Sequence, residues 1–458
     1  PTSSYAEMGE WALPPDEAVQ FATAVHDAAA RHRPEARWLR GGFWRNFQVK
    51  YREVNDLHKQ MLRTSDAVAS MAAGAERDAA VDHLYRGQSN DCYWHGLFGG
   101  VYITHMRLAT FEHLIAAEDL AVTAAGDAPM ARLLDADLDG RDEAVLVHAG
   151  QFVTVDLDEG AGIGRWDLRA PRHALTAVMR RRPEAYHATL RDHEARDAAA
   201  VAGAAHDGAA PASIHEVVRA KETNLSAQLH YDAYERRSGL VRILARDTTP
   251  EAFAAAEATE LGDFVDGAFV VDALDIARLV ARRDGIVTFG GAALPVRVEK
   301  RLTLGGDRVA PSLGLEVVVE NRSSQRIDAL LGVEWAMTML GGGGNPAAWW
   351  EAPDRTRTTH DAAGSAKAAT RIAQGNDYIG AAVVTTPSPK ADAWWSPIET
   401  ISNSESGFER VYQGSALLLT WPLRLAPNRK LVVRVDHVVA TTRDRAAEEA
   451  GASRPTRA

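Results

Sequence analysis

The chain has 458 residues, 46% of them hydrophobic and 25% charged, enough for two or more domains with sizeable cores. Its net charge of −11 argues against nucleic acid or an anionic membrane as the main partner, because both reward basic surfaces. The single cysteine, Cys92, excludes an intramolecular disulfide and a thiolate zinc site, and no apolar run approaches the ~20 residues of a transmembrane helix.

Taken in chain order, the period is helical first. After Pro14-Pro15 a helix is predicted over residues 16–32, with Asp16 and Glu17 favouring its N-terminal dipole. Over 43–71 the apolar Phe47, Tyr51, Val54, Leu57, Met61 and Val68 recur at helical spacing and predict one face of a single long helix. The pattern continues over 77–85, and Leu97, Val101, Leu108, Phe111 and Ile115 supply the inner stripe of a further helix. A small bundle is expected.

The stretch Tyr85-Arg86-Gly87-Gln88-Ser89-Asn90-Asp91-Cys92-Tyr93-Trp94-His95-Gly96-Leu97-Phe98-Gly99-Gly100-Val101-Tyr102 gathers polar hydrogen-bonders, a Trp and glycines ahead of that last helix. A Trp that stacks on the C–H face of a pyranose, beside an Asp that accepts two hydroxyl hydrogen bonds, is a common way to hold glucose units, and Trp94 and Asp91 have the spacing for it. Plainer readings stand beside this one. Asn90 or Asp91 would serve as cap of a helix beginning near Tyr93, worth about 1 kcal/mol, and Trp94 as core. Gly96, Gly99 and Gly100 leave room for a ligand or another backbone. His95 either touches ligand or a neighbouring domain, or is a satisfied hydrogen-bonder. Cys92 reads as a small buried hydrophobe.

Near residue 125 the hydrophobic period changes, and this marks the main domain boundary. Asp135-Ala136-Asp137-Leu138-Asp139-Gly140 opens like a calcium loop, but Leu146 stands where a bidentate Glu is needed, so a charged turn is the better reading. Residues 144–149 and 151–157 form a predicted hairpin around His148-Ala149-Gly150, with a strand at 165–168. An Ala-rich charged stretch at 191–211 reads as a solvated insertion or helix, and 251–261 as a short helix. Strand runs at 285–289, 296–304, 315–320, 330–340, 378–385, 416–421 and 431–439 predict a large antiparallel sandwich, followed by a frayed tail after Thr441. Trp349-Trp350 and Trp394-Trp395 invite a carbohydrate surface, although alternation lets at most one of each pair face a ligand. Glu7 and Glu10 lie in one segment and lack the opposed placement that glycoside cleavage requires. The run from Tyr231 to Arg236 suits a polar network closing the sandwich.

The 85–102 block resembles the conserved block that closes the catalytic half of glycoside hydrolase family 57 enzymes of the 4-α-glucanotransferase and α-amylase type. Residues 1–14 look like the segment leaving that family's barrel, and 394–400 through Gln413-Gly414 like its C-terminal β domain. The resemblance implies an α+β chain: an exit segment at 1–14, a helical domain at 15–124, a galactose mutarotase-like β-sandwich at 125–440 and a polar tail at 441–458. It also implies that catalysis belongs to a Glu nucleophile and an Asp acid/base on an incomplete barrel preceding Pro1. No catalytic residue is then expected here, and the chain, opening on Pro without Met, is expected to be a C-terminal fragment inactive alone. Asp91, Trp94 and His95 would be its substrate contacts for an α-1,4-glucan or maltooligosaccharide. No metal and no cofactor are expected; the partner is the missing barrel, a homodimer is one candidate assembly, and the setting is cytoplasmic. Two other readings remain: a stand-alone carbohydrate-binding sandwich protein, and a mutarotase-like epimerase using a Glu and a His such as Glu216 and His230.

Overall fold

The helical pattern builds α1 (Ala6–Trp11), α2 (Pro15–Ala30), α3 (Trp44–Lys50), α4 (Arg52–Ala69), α5 (Ala75–Gly87) and α6 (Thr104–Ala124) in the computed structural model, which describes residues 6–96, 98–201, 219–404 and 407–452. Leu97, Glu216, residues 1–5 of the exit segment, 202–211 of the charged stretch and 453–458 of the tail lie outside the described residues. Leu57 and Val68 of α4 pack with Ala80 and Leu84 of α5 and Phe111, Leu114 and Ile115 of α6, and Cys92 is buried in the same core. No described helix is long and apolar enough to cross a membrane.

The single helix predicted over 43–71 is two helices. Tyr51 between them is extended, with φ −118° and ψ 95°. Its ring is fully buried and its hydroxyl donates to Glu184 Oε1 at 2.7 Å, a contact that local periodicity does not report. The helix expected near Tyr93 is also absent: Asn90–Tyr93 is a 3-10 turn, Trp94 is extended, and α6 starts at Thr104. Neither Asn90 nor Asp91 caps a helix, since Ser89 holds the capping position and no side chain bonds there.

After α6 comes an antiparallel meander of β1 (Met130–Leu134), β2 (Glu143–His148), β3 (Gln151–Asp156), β4 (Gly162–Leu168) and β5 (His173–Ala174). The β2–β3 hairpin turns on Ala149 and Gly150, both at positive φ (52° and 71°), the turn whose twist matches flanking strands. Helix α7 (Tyr186–Val201) follows, then β6 (Leu240–Leu244) and α8 (Pro250–Ala254), a shorter helix than the one predicted over 251–261.

The remaining strands are β7 (Val270–Asp275), β8 (Arg278–Phe289), β9 (Ala292–Gly306), β10 (Pro311–Asn321), β11 (Ile327–Met337), β12 (Ala348–Glu351), β13 (Arg357–Thr359), β14 (Gly364–Ala369), β15 (Ile372–Asn376), β16 (Ala381–Ser388), β17 (Ala391–Ser404), β18 (Gly407–Leu425) and β19 (Lys430–Thr441). They form two antiparallel sheets, one ordered β13-β12-β15-β16-β19-β10-β9-β8-β7 and the other β14-β17-β18-β11-β6. Period-two alternation builds the core between them. Val296, Val298, Leu302 and Leu304 on β9 and Leu313, Leu315, Val317 and Val319 on β10 share it with Leu331, Val333, Trp335 and Met337 on β11 and with Leu417 and Leu419 on β18. Burying each large aliphatic contributes about 1.5–3 kcal/mol, which makes this the main source of stability. Lys300 interrupts the β9 series at an inward position. Its Nζ donates to the carbonyls of Gly160, at 2.9 Å, and Ala161, tying the β3–β4 turn to the sheet, and burial pushes the amine down to about 7.

Candidate functional site

The turn after α5 is locked by Tyr93, whose hydroxyl donates to the Gly87 carbonyl at 2.5 Å while its own carbonyl accepts from Trp44 Nε1 at 3.0 Å. The edge of Trp44 meets His58 at 4.8 Å between ring centres, and His58 faces Tyr93 in turn. These rings, with Met61, Gln88, Asn90 and Trp94, wall a groove of about 280 Å³. Trp94 is half-buried in that wall, set edge-on against Phe47 at 6.5 Å. A side chain at Gly96 would collide with the Trp94 ring, and Gly100, at φ +50°, lies against the carbonyls of Trp94 and Asp91. The glycines of this block therefore admit the chain's own Trp and backbone.

Asp91 is exposed on the same turn, between the groove residues Asn90 and Tyr93, and accepts from Ser89 Oγ at 3.3 Å. His95 goes elsewhere. It is fully buried, Nδ1 3.2 Å from the Gly99 carbonyl and Nε2 3.3 Å from the Tyr186 hydroxyl, and its ring packs on Trp11 and Tyr102. Burial pushes it down to about 4, so it is neutral at physiological pH. The structure thus brings Asp91 and Trp94 to one turn and places His95 behind it. The support continues to Glu184, which accepts from Tyr51 at 2.7 Å, Tyr102 at 2.9 Å and Lys50 at 2.8 Å. Burial would raise Glu184, but the Lys50 ammonium, together with the hydrogen bond from Tyr51, holds it below the usual carboxylate range. Trp44, His58 and Glu184 carry no sequence signal, because each reaches the site only through long-range contacts.

A second polar space, about 60 Å³, lies between α4 and the meander. Arg237 spans it to Asp56 at 2.7 Å, Asp156 at 2.7 Å and Glu159 at 2.6 Å. At its edge Asp135, Asp137 and Glu143 each bring a carboxylate oxygen within 4.8 Å of the others, a group that could hold a cation. The Asp135 carboxylate also accepts from the backbone N–H groups of Asp139 and Gly140, both at 3.1 Å, as a charged turn requires, and Leu146 is core. Glu143 is only 4% exposed, and burial, reinforced by Asp137, pushes its carboxyl up to about 8. A free Glu titrates near 4.3, so between there and pH 8 the folded chain holds a proton that the unfolded chain has lost, and stability falls as pH rises. Glu143→Gln keeps the acceptor for the Ala136 N–H and removes that cost. Thermal melts should show the variant level with the parent near pH 4.5 and a few degrees more stable at pH 8; an equal shift at both would contradict the assignment.

Of the other candidates, Trp350, Trp394 and Trp395 are buried, while half-exposed Trp349 donates to Asp377 at 2.9 Å under Arg357. Glu10 is half-exposed on α1, and the side chain of Glu7 lies outside the described residues. His230 is half-buried beside a groove of the sandwich.

Residues 42–121 match the model of the α-amylase/4-α-glucanotransferase middle domain, and residues 135–435 match that of the α-amylase/4-α-glucanotransferase C-terminal domain. A 4-α-glucanotransferase of Thermococcus kodakarensis is 31% identical over 427 residues, covering 92% of this chain and 57% of the relative. Alpha-amylase 1 of Dictyoglomus thermophilum is 29% identical, covering 91% and 57%. The crystal structure of 4-α-glucanotransferase from Thermococcus litoralis superposes with TM-score 0.74 at 25% identity, over 95% of this chain and 60% of that one. The chain spans somewhat over half the length of the curated relatives it matches.

Proposed function

Because this chain belongs to the α-amylase/4-α-glucanotransferase family, matching its middle and C-terminal domains, we propose that it forms the helical and β-sandwich part of an α-1,4-glucan-acting enzyme. In this reading Asp91 and Trp94 contact the sugar and His95 fixes the turn that carries them from behind. The observation that carries it is the groove of Trp44, Tyr93 and Trp94, aromatic walls interspersed with Gln88, Asn90 and His58, inside the segment that matches the family's middle domain. Rings offer C–H-facing surface and the amides offer hydroxyl partners, which is the chemistry a pyranose needs.

The carboxylates that would cleave and re-form the glycosidic bond are assigned to a barrel N-terminal to this chain. Trp38, Phe43, Val49 and Phe98 support this, since each is more than half exposed in the helical region and suited to cover by a neighbouring domain. The α-1,4-glucan then lies between barrel and groove, and the helical region orients its end. The chain alone, incubated with maltoheptaose, is expected to leave the chain-length distribution unchanged by chromatography. Shorter or longer products would place catalytic carboxylates within these residues and overturn the proposal.

A further inference from the structure

His58, half-buried on α4, stands in the wall of the helical groove with Trp44 and Tyr93. Its neighbours decide which of its ring nitrogens carries the proton. Lys59 is buried and directs its three donors at three acceptors: Gln48 Oε1 at 2.9 Å, Asn55 Oδ1 at 2.9 Å and His58 Nδ1 at 3.2 Å. An ammonium donates and never accepts. The two amides are oriented by the same logic, since Asn55 Nδ2 donates to the Asp137 carbonyl at 2.8 Å, and Gln48, with its oxygen on Lys59, turns its Nε2 to His58 Nδ1 at 3.4 Å. His58 Nδ1 therefore receives donors from two side chains and holds no proton of its own. The ring is neutral with its hydrogen on Nε2, and burial, with the Lys59 charge beside it, pushes it down to about 4.

Nε2 hydrogen-bonds to none of the described residues and is not shielded from solvent. Two other ring donors of the wall are already spent, Trp44 Nε1 on the Tyr93 carbonyl at 3.0 Å and the Tyr93 hydroxyl on the Gly87 carbonyl at 2.5 Å. The His58 N–H is thus a donor of fixed polarity left open in an aromatic groove.

We propose that His58 is a specificity-determining residue of this groove, giving its Nε2–H to an oxygen of the bound sugar. The inference rests on the reading that the groove holds an α-glucan. The Asp91 carboxylate can only accept and His58 can only donate, so the two together set the direction in which hydroxyl hydrogens of the sugar point. A ligand group that offers donors alone, such as an ammonium, finds no acceptor at His58.

The first test reads the tautomer without sugar, from a long-range nitrogen–proton NMR spectrum of the whole chain labelled in histidine, with His58→Phe identifying its signal among the 16 histidines. Nε2 is expected to be protonated and Nδ1 bare at neutral pH; a proton on Nδ1 overturns the inference whatever the chain binds. The second test is calorimetric titration with maltoheptaose. His58→Phe keeps a ring against Trp44 and removes the donor, and should weaken binding about three- to tenfold. His58→Gln returns an amide N–H close to the Nε2 position and should recover part of that loss. Both variants deprive Lys59 of the same acceptor, so a structural role alone would weaken them equally. Equal affinity in the parent and His58→Phe, or an equal loss in the two variants, overturns the role of His58, while a Trp94→Ala variant that still loses binding leaves the groove assignment standing. A parent chain that binds no maltoheptaose, or Trp94→Ala binding as well as the parent, overturns the groove assignment and this inference with it.

Discussion

Replacing Glu334 with leucine should destabilise the chain by about 3–5 kcal/mol and lower its melting temperature by on the order of 5–10 °C. Glu334 sits on β11 between Val333 and Trp335, both turned into the sandwich core, so alternation sends its side chain to the opposite face. That face is covered. Glu334 is completely buried, accepting from Arg236 at 2.6 Å, Arg242 at 2.8 Å and the Tyr234 hydroxyl at 2.7 Å. Arg236 continues to Asp232, which also holds Arg181. Removing the acid leaves Arg236 and Arg242 sharing a buried space with one acid fewer, and Glu260 and Asp232 then compensate only in part. Replacing Glu334 and Arg236 together, as Glu334→Leu with Arg236→Met, should recover most of the loss, because Arg242 stays paired with Glu260 and Asp232 with Arg181, and an apolar replacement of similar volume costs little once no charge is stranded. Calorimetric melts of the two variants check this; a single variant melting within a degree or two of the parent would show that the network is open to water.

How much of this was legible in the sequence differs from element to element. Many strands of the sandwich were readable because their alternation is strict, whereas the 85–102 block stood out by composition but was read as opening a helix near Tyr93, where the chain makes a 3-10 turn. Tyr51 was not: its extended backbone accompanies a bond to Glu184, 133 residues away. His95 is buried by Tyr186, 91 residues on, and Trp44 joins the groove through Tyr93, 49 residues on. Lys300 and Glu334 occupy positions that alternation assigns to core and to solvent, and the structure gives the first two carbonyls and the second a roof of Tyr234 and two arginines. Periodicity describes one element against a generic interior, so contacts chosen across a hundred residues escape it.

The second large effect is expected at the groove. Trp94→Ala should weaken maltoheptaose binding there roughly thirtyfold, because truncating a central aromatic contact costs about 2 kcal/mol or more. Asp91→Ala should cost about tenfold, since a charged acceptor bonded to a hydroxyl contributes about 1.5–3 kcal/mol, diluted here by its exposure. Trp94→Phe keeps a ring against Phe47 and above Gly96 and should retain much of the affinity, which separates loss of stacking from loss of fold.

The most direct test of the glucan-binding role is a titration of maltoheptaose into the parent chain, Asp91→Ala and Trp94→Ala. Saturable heat in the first, about tenfold weaker binding in the second and near loss in the third are the predicted results. Binding of equal strength in all three would place the sugar away from Asp91 and Trp94, and would contradict the account.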